Sequence, residues 1–150
     1  MFVHATSVAL RQGRSWRAVL LRGPSGAGKS DVALRIIEAG GRLVADDQTH
    51  LAKTHLGMSG RAVIASAPPS LAGLIEVRGI GIVKLGRAQL IARAPLALLV
   101  DLVPPDQVER MPEPAHEKVL GVDLPRLALA AFDVSIVTKL RLALARTAAP

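Results

Sequence analysis

The sequence predicts an α/β domain, and three observations carry that prediction. Gly23-Pro24-Ser25-Gly26-Ala27-Gly28-Lys29-Ser30 fits G-x-x-x-x-G-K-[ST] at every fixed position. The apolar run Ala18 to Leu21 leads into it and a helical pattern follows, so strand, loop and helix stand in the order the motif requires. A second apolar run, Arg42 to Ala45, then closes a compact βαβ unit, Ala18 to Asp47, that ends on Asp46-Asp47.

The motif has a physical meaning. Its glycines let successive backbone N–H groups converge on phosphate oxygens without Cβ obstruction, and the following helix offers its positive end. Lys29 is placed to reach the β- and γ-phosphates, as an exposed loop lysine with little packing role, and Ser30 to put its hydroxyl on Mg²⁺. A nucleoside triphosphate is the ligand class that results.

Composition narrows the alternatives. At 150 residues, half of them hydrophobic, the chain is expected to be one domain around one core. Nineteen Lys+Arg against 12 Asp+Glu give +7, but the charges are scattered. With one Trp, two Phe and no Tyr there is no stacking platform for single strands, so no nucleic-acid partner is expected and the excess reads as a preference for acidic ligands. Zero Cys excludes disulfides, thiol catalysis and Cys-ligated zinc. The run Pro95 to Val100 is too short to span a bilayer and is closed by Asp101, and the start lacks a leader pattern, so no membrane association and a cytoplasmic protein are expected.

In chain order, Phe2 to Leu10, with His4, and Trp16 to Leu21 read as strands around the polar turn Arg11 to Ser15. Asp31 to Ala39 is a helix: Val32, Ile36 and Ala33, Ile37 recur at helical spacing, Asp31 suits the first turn, and Gly40-Gly41 supply a left-handed C-cap. The strands flanking this helix are expected to run parallel, bringing Asp46-Asp47 and the loop to one carboxyl edge. One carboxylate there can hold Mg²⁺ through water and the other accept a proton from an incoming hydroxyl. Gln48 to Lys53 and Arg61 to Ala67 read as a hairpin around Gly57 to Gly60, and Pro68-Pro69-Ser70 opens a helical turn reaching Gly73. Ile75 to Val83 alternates polar and apolar residues, and Gly79 and Gly81 imply a bend. Gly86 to Ala94 is ambiguous, Pro95 to Val103 a buried strand, the proline-rich Pro104 to Pro114 a loop, and Val119 to Ala130 a strand or strand pair. Asp133 is expected to cap a final helix with Ile136, Val137, Leu140 and Leu144 on its apolar face.

Taken together, His4, Gly23 to Ser30, Leu43 to Asp47 and Ile75 to Ile82 resemble the catalytic domain of HPr kinase/phosphorylase in order and spacing, across roughly the first two-thirds of the chain. The resemblance implies a P-loop domain with a mixed sheet and a C-terminal helix, related to the nucleotide-binding part of phosphoenolpyruvate carboxykinase and assembled as a homo-oligomer, commonly a hexamer. It implies an ATP- and Mg²⁺-dependent protein-serine kinase acting on an HPr-like phosphocarrier of the phosphotransferase system, with phosphorolysis of the product by inorganic phosphate. Carried onto matching positions, it makes Lys29 a phosphate-binding catalytic residue, Ser30 and Glu76 magnesium ligands, Asp47 the base and His4 an active-site histidine. Asp46 is then left to the metal or to local structure, and Arg78 is the arginine within the matching signature, Glu76 to Ile82. Two departures stand out. The chain begins almost at the catalytic domain, which implies a short form, and Ala128 to Asp133 lacks the arginine that the longer enzymes carry in the corresponding loop. The nearest substitutes in sequence are Arg126, Arg110 and Arg78, so weak phosphorolysis is expected. A small-metabolite or nucleotide kinase is the alternative, although the arginine-bearing lid typical of one is not visible, and a nucleotide-gated binding module is a third class.

Overall fold

The computed structural model describes residues 1–55 and 60–147. Among them, in order, are β1 Phe2–Val3, β2 Thr6–Gln12, β3 Ser15–Arg22, α1 Lys29–Glu38, β4 Arg42–Ala45, β5 Thr49–His55, β6 Arg61–Ser66, β7 Leu74–Val77, β8 Gly81–Lys84, β9 Arg93–Leu102, β10 Ala115–Val119, β11 Val122–Leu129 and α2 Ile136–Ala145. The result is α/β with a mixed sheet. Its order is β1-β5-β6-β9-β3-β2-β4, with β11 also beside β9 and β10 outside β11, while β7 and β8 form a separate hairpin. The pairs β3–β9 and β9–β11 are parallel and the other strand pairs antiparallel.

Strand alternation sorts the core into two layers. Val8, Leu10, Val19 and Leu21 face the helices, where Val32, Ile36, Ile136, Leu140 and Leu144 are fully buried. Ala9, Ala18 and Leu20 face the other way, toward Leu51, Val63 and Ala65 of the β5–β6 hairpin. Each buried Leu or Ile contributes about 1.5–3 kcal/mol of transfer free energy, so the sheet is held from both sides.

The βαβ unit differs from expectation in one respect. β3 and β4 do point the same way, but β2 lies between them, antiparallel to both. The carboxyl ends of β3 and β4 still share one edge. Helix α1 closes as its glycines predict: Gly40 has φ +101, and the N–H groups of Gly40 and Gly41 bond to the carbonyls of Ile37 (3.0 Å) and Ile36 (2.8 Å).

Other differences have local causes. The strand expected over Phe2 to Leu10 breaks at His4, where the Ala5 N–H bonds back to the Val3 carbonyl at 3.1 Å, because β1 pairs with β5 and β2 with β3 and β4. Ile75 to Val83 is a hairpin, and Gly79 (φ +90) and Gly81 (φ +116) supply its reversal. The expected turn at Gly57 to Gly60 falls, but for Gly60, outside the described residues, although β5 and β6 do pair antiparallel around it. A 3-10 turn, Arg87–Gln89, lies in the ambiguous Gly86 to Ala94 stretch. Val119 to Ala130 belongs to the β10–β11 hairpin, which begins at Ala115. Asp133 does not cap α2: Ser135 occupies that position, and Asp133 Oδ1 accepts the Ser135 N–H and hydroxyl, each at 3.1 Å. The Asp133 carboxyl is pulled down to about 2, first by Lys139 and then by Ser135.

Candidate functional site

The site begins where β3 ends. Gly28, with φ +97, stands before the first helical residue, Lys29, and a Cβ there would meet Ala131 Cβ at 2.8 Å and Phe132 Cζ at 3.1 Å. A Cβ on Gly23 would meet Ala27 Cβ at 2.9 Å and the Leu102 carbonyl at 3.3 Å. The glycines therefore serve close packing of the loop against β9 and the 131–132 segment, besides leaving its N–H groups open. Pro24, Ser25 and Gly26 form the exposed crest, where the Ala27 N–H bonds to the Pro24 carbonyl at 3.0 Å. Lys29 corrects an expectation: it is buried, at 7% exposure, and its Nζ donates to the carbonyls of Gly23 (2.7 Å) and Pro24 (3.1 Å). Its stem packs and its ammonium closes the loop on itself, because a buried cation must find acceptors.

At the end of β4 the two acidic residues part company. Asp46 is 7% exposed and its carboxylate takes three donors: the Ser30 hydroxyl at 2.7 Å and the Thr6 hydroxyl at 3.0 Å on Oδ1, and the Glu76 N–H at 2.9 Å on Oδ2. Asp47 is exposed. The Gln48 N–H bonds to the Asp46 carbonyl at 2.7 Å, closing a three-residue turn whose central residue, Asp47, has φ +65. That strained reversal sends adjacent carboxylates into opposite surroundings, one locked and one free to meet a second molecule. His4 Nε2 lies 3.3 Å from Asp47 Oδ1, with both side chains largely in solvent.

Lys29, Ser30, Asp46, Asp47 and His4 thus gather at one edge, and Glu76 joins through its backbone while its side chain is exposed. Arg78 is not gathered in: it is exposed beside the β7–β8 turn, with no hydrogen bond or ion pair among the described residues. No group of three His, Asp or Glu side chains forms a ready metal cage among those residues. Magnesium does not require one, since it is bound by one or two carboxylates together with water and substrate phosphates. The hydroxyl of Ser30 against the carboxylate of Asp46 fits that donor set.

Sequence reasoning missed several neighbours. Arg22, the last residue of β3, donates to Asp101 (2.8 Å) and Glu117 (2.7 Å), and Arg126 adds a 3.2 Å bond to Glu117. This network pulls the Glu117 carboxyl below its ordinary 4.5, mainly through Arg22, and raises the Arg22 guanidinium. Arg35 on α1 donates to the Ala131 carbonyl and, at 3.5 Å, to that of Asp133, so an arginine from another element holds the segment that lacks its own. Thr6 was hidden because hydroxyls on strands carry no positional signal. A cavity of about 960 Å³ lies apart from the loop, against β9, β11 and the end of α2, and meets this network at Asp101 and Arg126.

Comparison with known proteins shows what the chain is similar to. The model of the family described as HPr Serine kinase C-terminal domain matches residues 16–140, a span that excludes His4. The chain is 34% identical over 119 residues to an HPr kinase/phosphorylase of Geobacillus thermodenitrificans (strain NG80-2), covering 74% of this chain and 37% of that protein. It is 36% identical over 121 residues to one of Leptothrix cholodnii, covering 75% of this chain and 36% of the relative. The chain therefore spans little more than a third of these relatives' length. The HPr(Ser) kinase/phosphatase structure from Coxiella burnetii superposes with a TM-score of 0.77 over 97% of this chain and 88% of that one, at 24% identity, a likeness of fold.

Proposed function

We infer what the site does from one premise: the chain belongs to the HPr Serine kinase C-terminal domain family. It is a cytoplasmic protein-serine kinase that transfers the γ-phosphoryl group of ATP to a serine of an HPr-like phosphocarrier of the phosphotransferase system. The observation that carries this reading is the pairing of Ser30 with buried Asp46 at 2.7 Å, with exposed Asp47 next in sequence.

Gly23 to Ser30 is a P-loop of the phosphoenolpyruvate-carboxykinase kind. Its N–H groups take the phosphates, and Lys29 exchanges the carbonyls of Gly23 and Pro24 for β- and γ-phosphate oxygens. Ser30, Asp46 and Glu76 are the residues that would hold Mg²⁺, which when bound would supply charge neutralisation on the phosphates. Asp47 accepts the proton of the substrate serine as its oxygen bonds to the γ-phosphorus and the bond to the ADP oxygen breaks. His4, 3.3 Å away, orients that carboxylate and faces the entering peptide. Arg78 approaches the phosphates only if the β7–β8 hairpin moves with substrate. Homo-oligomeric assembly belongs to the same reading.

Reversal by inorganic phosphate, with release of pyrophosphate, gathers more negative charge and leans harder on cations. Arg126 is already engaged by Glu117 and Asp101 and Arg35 by carbonyls, while Arg110 is exposed in the loop after β9, all of which supports weak phosphorolysis. The test is incubation with labelled ATP and Mg²⁺ in the presence of HPr, small-molecule acceptors or DNA. Label on HPr alone supports the reading. Label on a small acceptor, or salt-sensitive DNA binding without transfer, refutes it.

A further inference from the structure

We propose that Phe132 is the platform on which the base of the bound nucleotide stacks, a subsite that rests on the nucleotide reading above and adds to it a contact with the base. The two ends of a triphosphate must lie at different sides of the loop, and the structure distinguishes those sides. Ser30 faces Asp46 and marks the metal and γ-phosphate side. Gly28, Asp31 and Arg35, spaced i, i+3 and i+7, form another stripe roughly a third of a turn away around α1. Phe132 stands over that second stripe: its Cζ lies 3.1 Å from where a Gly28 Cβ would be, and the Arg35 guanidinium is 5.9 Å from its ring centroid. The base, at the far end of the phosphate chain from the metal, leaves the loop on this side.

The ring is exposed yet firmly mounted. It is 73% exposed, with a face open to a ligand beyond its contacts with Gly28 and Arg35, while the two preceding residues, Ala130 and Ala131, are buried at 8% and 5%. Arg35 fixes the segment through the carbonyls of Ala131 and Asp133 and pairs with Asp31 at 2.9 Å, so the ring is presented from a bonded frame. The other two large aromatic side chains are occupied elsewhere: Phe2 lies against His50 with centroids 4.9 Å apart, and Trp16 has Arg42 over its ring at 4.8 Å. Aromatic stacking recognises the π-face of a base, and a guanidinium at the same ring adds its positive charge near the phosphates.

Equilibrium binding of Mg-ATP and of Mg-tripolyphosphate, which has the phosphates and no base, to the wild-type chain, Phe132→Ala and Phe132→Trp separates the possibilities. Phe132→Ala should weaken ATP roughly 5- to 150-fold, the loss of one base–aromatic stack, and leave tripolyphosphate unchanged. Phe132→Trp should keep ATP affinity and gain indole fluorescence quenched by ATP and not by tripolyphosphate. Unchanged ATP affinity in Phe132→Ala, or equal weakening of both ligands, overturns the platform, the latter by showing that the ring acts only through its packing on Gly28. A wild-type chain that binds tripolyphosphate as tightly as ATP also overturns it while sparing the P-loop reading. A wild-type chain that binds neither refutes both.

Discussion

Replacing Asp46 and Asp47 separately by asparagine tests the division of labour that their surroundings impose. Asp47 is 60% exposed at its side chain, its carboxylate lies 3.3 Å from His4, and asparagine tolerates its φ of +65 as aspartate does. Asp47→Asn should therefore change stability by no more than about 0.5 kcal/mol. It removes the proposed base, so kcat should fall by about 10²–10⁴ with Mg-nucleotide binding retained. Asp46 differs because its carboxylate accepts from Ser30, Thr6 and Glu76. An amide must turn its NH₂ toward at least one of those donors, and hydrogen bonds to a charged group are worth about 1.5–3 kcal/mol each. For a chain of 150 residues that lowers Tm by roughly 3–12 °C, together with a higher Mg²⁺ concentration needed for half-maximal activity. Circular-dichroism melts and steady-state transfer to HPr read the two effects. Wild-type turnover by Asp47→Asn, or an Asp46→Asn protein that keeps its Tm and loses kcat more severely, reverses the assignment.

Three further outcomes follow from the same geometry. Lys29→Ala should abolish transfer and also lower Tm measurably, since Nζ bonds to Gly23 and Pro24; wild-type transfer by the folded variant removes the P-loop from the mechanism. Glu117→Gln should cost about 1 kcal/mol or less at neutral pH, because the ion network is partly exposed. Glu117 has a folded-state pKa depressed from 4.5, mainly by Arg22, so its contribution is present above that value and lost as pH falls through the lower one. The Tm gap between wild type and variant should close on acidification, and a gap independent of pH contradicts this. With phosphorylated HPr, Mg²⁺ and saturating phosphate, pyrophosphate should form slowly relative to the kinase reaction, and a comparable rate shows that an arginine in the 128–133 loop is dispensable or replaced.

Much of this was legible in the sequence because it depends on local pattern. The motif from Gly23 to Ser30, the helical spacing of Val32, Ile36 and Ile37, and the Gly40-Gly41 closure are decided within a few residues. The approach of Asp46-Asp47 to the loop was legible too, because the shared direction of β3 and β4 puts their carboxyl ends at one edge; the Ser30–Asp46 bond itself was not. What could not be read was long-range. The insertion of β2 between those strands is set by pairings 33 to 38 residues apart, such as Ser7 with Ala45. The burial of Lys29 depends on how the loop folds upon itself. Arg35 reaching Ala131 and Arg22 reaching Glu117 join residues separated by 96 and 95 positions, distances at which no periodicity survives. The strained turn at Asp47 had no signal beyond the acid itself, since aspartate is tolerated there and glycine is not required.

The most direct measurement is mass-spectrometric mapping of phosphate on HPr after incubation with this chain and Mg-ATP, alongside an HPr in which the target serine is alanine. The account predicts a single phosphoserine on HPr, absent from the alanine protein, absent when Lys29→Ala replaces the wild-type chain, and formed about 10²–10⁴ more slowly with Asp47→Asn. Phosphate on a histidine, on the alanine protein, or nowhere on HPr would contradict it.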